Sequence, residues 1–261
     1  AAARMGARSI MVGRVGGDIF GPQLLEGLAA AGVETSGITV NPDVSSGIAV
    51  IGVDETAQNC ITQILGANDT CGPEQAEAVK RELPGAAGLL LQLETSIELS
   101  LEVARKAKSL GVMVMLDPGP VRSIPEEFLG LCDVITPNET EAQALVGFSV
   151  TGPESAAEAA SALLQRGVGA AVVKLGSQGA YFSDGADQGF AQPFRVDAVD
   201  SVAAGDAFNG ALAVSLAEGK ILEEGVNIAC AAGGLAVTKT GAQDSMPERG
   251  SVEDLLQSQR R

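Results

Sequence analysis

The chain has 261 residues, of which 46% are hydrophobic but only 3% aromatic, with no tryptophan, so its core must be built from Ala, Val, Leu and Ile. Its 17 basic and 33 acidic residues give a formal net charge of −16, which disfavours nucleic acid and anionic membranes as partners. Histidine is absent, which excludes Ser-His-Asp and Cys-His catalysis, histidine metal sites and histidine general bases.

The chain opens "AAARMGARSIMVG", without an initiator methionine, so the native N-terminus is expected to be missing. No signal peptide or membrane-length apolar run is visible. The expected location is cytoplasmic, or an organelle stroma if a transit peptide has been removed. Apolar runs predict strands at 9–12, 48–53, 60–65, 88–93, 112–116, 133–136, 170–174 and 180–182. Helical periodicity predicts helices at 22–31, 73–83, 96–110, 139–146, 154–166, 205–218 and 222–238. From residue 88 onward, strand and helix alternate, which signals crossover units and a mainly parallel sheet. Such a sheet collects ligands at the carboxyl ends of its strands. The stretch 45–65 differs: two strand-like runs flank the polar "DETAQN", so it is a lid or an ordinary edge hairpin. Cys60, Cys71, Cys132 and Cys230 form no C-x-x-C pair and are expected as reduced thiols.

The chemistry gathers around "VDSVAAGDAFNGALAVSLAEG". Ala203, Ala204 and Gly205 are small and stand at the start of a long apolar helix. The first amides of a helix have no internal partners, and the helix dipole adds positive potential there. Small side chains would let an anion reach them. Asp206, beside that hole, suits a general base that takes a proton from an attacking hydroxyl. It equally suits an acidic cap. "ITPNETEA" puts Asn138, Glu139 and Glu141 at a strand end entering a helix, where they suit water-mediated Mg²⁺ or a capped helix. "KLGSQG" (Lys174, Leu175, Gly176, Ser177, Gln178, Gly179) is a small-residue turn fit to lie against adenine or ribose, or a plain hairpin turn. Glu94 ends another strand. There is no G-x-x-x-x-G-K-[ST], and "VGRVGGDIFG" lacks the G-x-G-x-x-G spacing.

These motifs, with "SSGIAVIGVD", "GAND", "LLLQLE" and "AVTKTGAQDSMP", resemble the ribokinase-like (PfkB-type) carbohydrate kinases along essentially the whole chain. The D-[ST]-x-[GA]-A-G-D element is that family's signature. The resemblance implies a three-layer α/β/α sandwich with a mainly parallel central sheet and a small β-lid. One kinase domain would span 1–261, with 45–65 part of the lid. It implies ATP-dependent phosphorylation of D-ribose at its 5-hydroxyl, by a homodimer using Mg²⁺ and K⁺. Asp206 would be the base and touch the sugar, with Ala203, Ala204 and Gly205 as the anion hole. Asn138, the Lys174–Gly179 turn, Gly205 and Cys230 would line the ATP site. Glu141 would be tied to Mg²⁺ and phosphate, and Glu94 to the sugar. Asp200, Val202, Ala236, Lys239, Gly241 and Ser245 would hold K⁺.

Some positions depart from the family pattern. "LDPGP" replaces the usual Asn-Pro-Ala-Pro, and Lys174 stands where Thr is common. The family's first strand with its Asp, and a Gly-Gly-Lys-Gly-x-Asn stretch, do not occur. A fructokinase, a deoxyribose kinase and a non-catalytic nucleotide-binding fragment therefore stand as alternatives.

Overall fold

Strands rich in Val, Leu and Ala at successive positions need cover on both faces, because neighbouring side chains point to opposite sides. The computed structural model describes residues 1–53 and 59–259. In chain order the elements are β1 (Ser9–Gly16), α1 (Phe20–Ala30), β2 (Val33–Asn41), β3 (Ile48–Val53), β4 (Asn59–Ile64), α2 (Pro73–Glu82), β5 (Gly88–Leu91) and α3 (Ile97–Ser109). They continue with β6 (Met113–Leu116), α4 (Glu126–Leu131), β7 (Val134–Ile135), α5 (Glu139–Val146), α6 (Pro153–Gln165) and β8 (Ala170–Lys174). The last are β9 (Ala180–Ser183), β10 (Gln188–Ala191), α7 (Ala204–Ala217), α8 (Leu222–Ala236) and α9 (Arg249–Gln259).

The main sheet has six strands in the order β10-β9-β8-β7-β6-β5. β5 to β8 run parallel, β9 pairs antiparallel with β8, and β10 pairs antiparallel with β9. Val114, Leu116, Ala171 and Val173 face one core, with Leu101, Phe128, Ala159 and Leu163 of α3, α4 and α6. Their neighbours Met115, Ala170 and Val172 face the other, with Leu212, Val226 and Val252 of α7, α8 and α9. The result is helix, sheet, helix. α7 is buried on every side from Ala207 to Ser215, as its uniformly apolar composition demands.

β1 and β2 pair in parallel as a separate two-stranded sheet, and β3 and β4 form an antiparallel hairpin. Residues 54–58 of the expected "DETAQN" turn lie outside the described residues.

Four elements escape the sequence pattern: β2, β10, α4 and α9. In β2 a glycine interrupts the strand. Gly37 is there because a Cβ would sit 2.8 Å from Val12 Cγ2, beside an irregularity in the β1–β2 register. α9 buries only Val252 and Leu256, too thin a stripe to announce a helix.

Leu212 is fully buried between α7 and the sheet. Leu212→Ala should destabilise the fold by about 2–5 kcal/mol. Chemical denaturation followed by circular dichroism checks this. An unchanged midpoint would mean that the α7 core is loosely packed.

Candidate active site

The turn into α7 holds Ala203 at φ 61°, a left-handed conformation that L-residues avoid. Two local bonds fix it: the Ala204 amide donates to Ser201 O at 3.3 Å, and the Ala207 amide to Ala203 O at 2.9 Å. Among the described residues, the Gly205 and Asp206 amides between them have no acceptor. They are the orphan donors of a helix start, with the dipole behind them.

Asp206 is exposed at the start of α7, although neighbouring protein partly desolvates its carboxyl. Its pKa is raised from the ordinary aspartate value, first by desolvation and then by the charge of Asp117; Glu94 adds to the rise and Lys174 opposes it. A base poised higher is better matched to taking a proton from a hydroxyl.

The other groups arrive on the carboxyl ends of the parallel strands. Asp117 follows β6, its amide bonded to Leu91 O at 2.9 Å. Asn138 follows β7 and bridges to Lys174 at the end of β8. Lys174 Nζ forms an ion pair with Asp117 Oδ2 at 2.9 Å. Asn209, on α7, donates to the same oxygen. Asn138 and Glu141 form a capping box. Asn138 Oδ1 accepts from the Glu141 amide at 2.9 Å, while Glu141 accepts from the Asn138 amide and Nδ2 at 2.8 and 2.9 Å. The cap is therefore real, and each carboxylate oxygen keeps a further lone pair. Burial pushes the Glu141 carboxyl up, against the Asn138 amide bond that favours its charged form. Glu94 follows β5 and is tied to the hairpin, because Gln63 Nε2 of β4 donates to its Oε1 at 2.6 Å.

The turn from Lys174 to Gly179 is closed by the Leu175 amide on Gly179 O at 2.8 Å. Gly179 has φ +101°, and a Cβ there would meet Ala191 O at 2.2 Å. Gly176, Ser177 and Gln178 are exposed, whereas the Leu175 side chain is in the core and leaves only its backbone for a ligand. Cys230, on α8, packs against the core under α7; burial pushes its thiol up to about 12. Cys71, Cys132 and Cys230 are free thiols, and the Cys60 side chain lies outside the described residues. Asp200 accepts from the Val202 amide at 3.0 Å and the Gly241 amide at 3.1 Å, drawing two of the expected ion-binding loops together. Ala236 and Ser245 are buried beside them, and the Lys239 amide donates to Ala236 O. Among the described residues no three acidic or sulfur side chains cluster to hold a metal ion.

Asp117 and Asn209 are the polar groups that the sequence pattern did not single out. The only signal was the acid in "LDPGP" just past a strand.

Residues 1–249 match the family described as pfkB family carbohydrate kinase. The chain is 35% identical over 260 residues to a ribokinase of Haemophilus influenzae, covering 98% of this chain and 84% of that protein. A crystal structure of a ribokinase from Thermotoga maritima superposes with a TM-score of 0.86 at 35% identity, covering 98% of this chain and 85% of that one. A ribokinase of Arabidopsis thaliana, complexed with ribose and ATP, superposes at 0.87 and 33% identity, covering 98% and 84%. The fold and the sequence likeness are those of a sugar-phosphorylating phosphotransferase. The chain belongs to the pfkB family of carbohydrate kinases.

A carboxylate with a raised native pKa binds its proton more tightly folded than unfolded, so the fold loses stability as pH rises through that window. Asp206→Asn removes this loss. Its melting temperature near neutral pH should equal or exceed that of the wild type, and the gap should close as pH falls to the ordinary aspartate range. A lower melting temperature at neutral pH would contradict the electrostatic account of Asp206.

Proposed function

We propose that the chain transfers the γ-phosphoryl group of ATP to the 5-hydroxyl of D-ribose. The observation that carries this is Asp206, exposed and adjoining two amides of α7 that have no acceptor among the described residues. As the hydroxyl oxygen bonds to phosphorus, Asp206 accepts its proton and the bond to ADP breaks. The Gly205 and Asp206 amides, with Ala203 and Ala204 leaving room, neutralise charge on the transferring group. Asn138, the exposed Gly176–Gln178 arc and Cys230 line the nucleotide side, and Glu94 meets the sugar. The ribose and ATP found with the Arabidopsis relative support this choice of ligands.

Glu141 retains acceptor capacity beyond its capping bonds, which suits a Mg²⁺ held through water and phosphate oxygens. Such an ion would supply charge neutralisation at the phosphates. K⁺ fits the second group, where Asp200 already gathers Val202 and Gly241, with Ala236, Lys239 and Ser245 nearby; it would stiffen the loop before α7. The exposed apolar residues Ile48, Val50 and Ile64 of the hairpin support a lid that pairs two copies into a homodimer.

The test is a coupled assay with ATP and a panel of D-ribose, 2-deoxyribose and fructose. Ribose should have the highest kcat/KM; no turnover of any sugar would favour a nucleotide-binding protein without catalysis. Asp206→Asn should cut kcat at least ~10²–10⁴-fold while ADP binding by calorimetry persists. Turnover near wild type in that variant would remove Asp206 as the base. K⁺ should raise the rate over Na⁺ at fixed ionic strength, and equal rates would remove the ion site.

A further inference from the structure

Lys174 ends β8, Asp117 follows β6, and the two meet as an ion pair at the strand ends. The ion pair is largely enclosed, with side-chain exposures of 13% for Lys174 and 23% for Asp117. Its cation lies against the start of α7: a Cβ on Gly205 would have Lys174 Nζ as its nearest neighbour, at 3.5 Å. The ammonium is therefore beside the two unpartnered amides. An ammonium carries three N–H donors. Among the described residues, Asp117 Oδ2 is its only acceptor. Two donors remain, next to the first turn of α7. Asp117 is itself held from a second side by Asn209, which is only 8% exposed. Among the described residues, Asp117 Oδ1 and Asn209 Oδ1 are buried without a partner. A structure that served stability alone would gain by replacing this pair with apolar groups.

We propose that Lys174 is the cationic member of the anion hole, its free donors joining the Gly205 and Asp206 amides around the transferring phosphoryl group, with Asp117 as the positioning residue that keeps the ammonium from pairing with Asp206. This rests on the phosphotransfer reading above. Lys174 touches the reacting group. Asp117 acts only through Lys174, and Asn209 braces Asp117. Without the brace, the nearby base would compete for the lysine, and a paired base accepts a proton poorly.

The experiment compares Lys174→Met, Lys174→Arg, Asp117→Asn and the Lys174→Met/Asp117→Asn double variant. Lys174→Met should lower kcat by ~10²–10³-fold, the cost of removing one donor to a developing charge, with the sugar KM little changed. Lys174→Arg should restore most of the loss. Asp117→Asn should lower kcat in the wild-type background but add nothing to Lys174→Met. Wild-type kcat in Lys174→Met, or fully additive losses in the double variant, overturns the proposal. A purely structural pair would lower the melting temperature while leaving kcat intact well below it, and that result also overturns it. If the wild-type chain phosphorylates no sugar, the function above fails by itself. Calorimetry with a non-hydrolysable ATP analogue and with adenosine then reads Lys174 directly. Lys174→Met should weaken the analogue about tenfold and leave adenosine unchanged; equal affinities for the analogue overturn the role of Lys174.

Discussion

Two backbone amides at the first turn of α7, without acceptors among the described residues, are the feature around which the site is arranged. They are useful only if they stay still. α7 supplies that rigidity because it is buried from Ala207 to Ser215 between the sheet and α8. A helix so enclosed cannot tilt without opening the core, so its N-terminus is a fixed anode. The left-handed Ala203 then turns the entering chain sharply enough to leave both amides uncovered. The strain at that residue is compensated by the packing of the helix behind it.

The protein is strongly acidic overall, yet its site is suited to an anion. Local geometry resolves this. Asp117, Glu94 and Asp206 lie close enough for the first two to raise the Asp206 pKa, and Lys174 opposes them. Desolvation and the charges of Asp117 and Glu94 raise the proton affinity of Asp206, and the Lys174 cation limits that rise. The amides add positive potential without titrating. The global charge governs what approaches the surface, whereas the first turn of α7 governs what can rest at its end.

The hairpin and the first sheet are coupled to this centre by polar contacts rather than by shared strands. Gln63 of β4 reaches Glu94. At the same open end of the hairpin, Asp18 Oδ1 accepts from Ser46 Oγ at 2.8 Å, its Oδ2 from the Ser46 amide at 2.7 Å, and Oδ1 again from the Phe20 and Gly21 amides. Asp18 thereby caps α1 and pins the root of β3 at once.

The sequence by itself determined the alternation of strands and helices, the apolar α7, the Ala-Ala-Gly-Asp entry and the strand-end positions of Asn138, Glu141, Lys174 and Glu94. These are local signals: hydrophobic period, capping pattern and small residues are written in consecutive positions. It did not reveal β2, β10, α4 or α9, whose patterns are short or interrupted, as Gly37 interrupts β2. Nor did it single out Asp117 or Asn209, which look like a loop acid and a helix amide. Only the tertiary structure decided that these two, 92 positions apart, meet over Lys174. The parallel sheet is the physical cause. It lines up the ends of β5, β6, β7 and β8 across a few strand widths, and so joins residues that no sequence window contains.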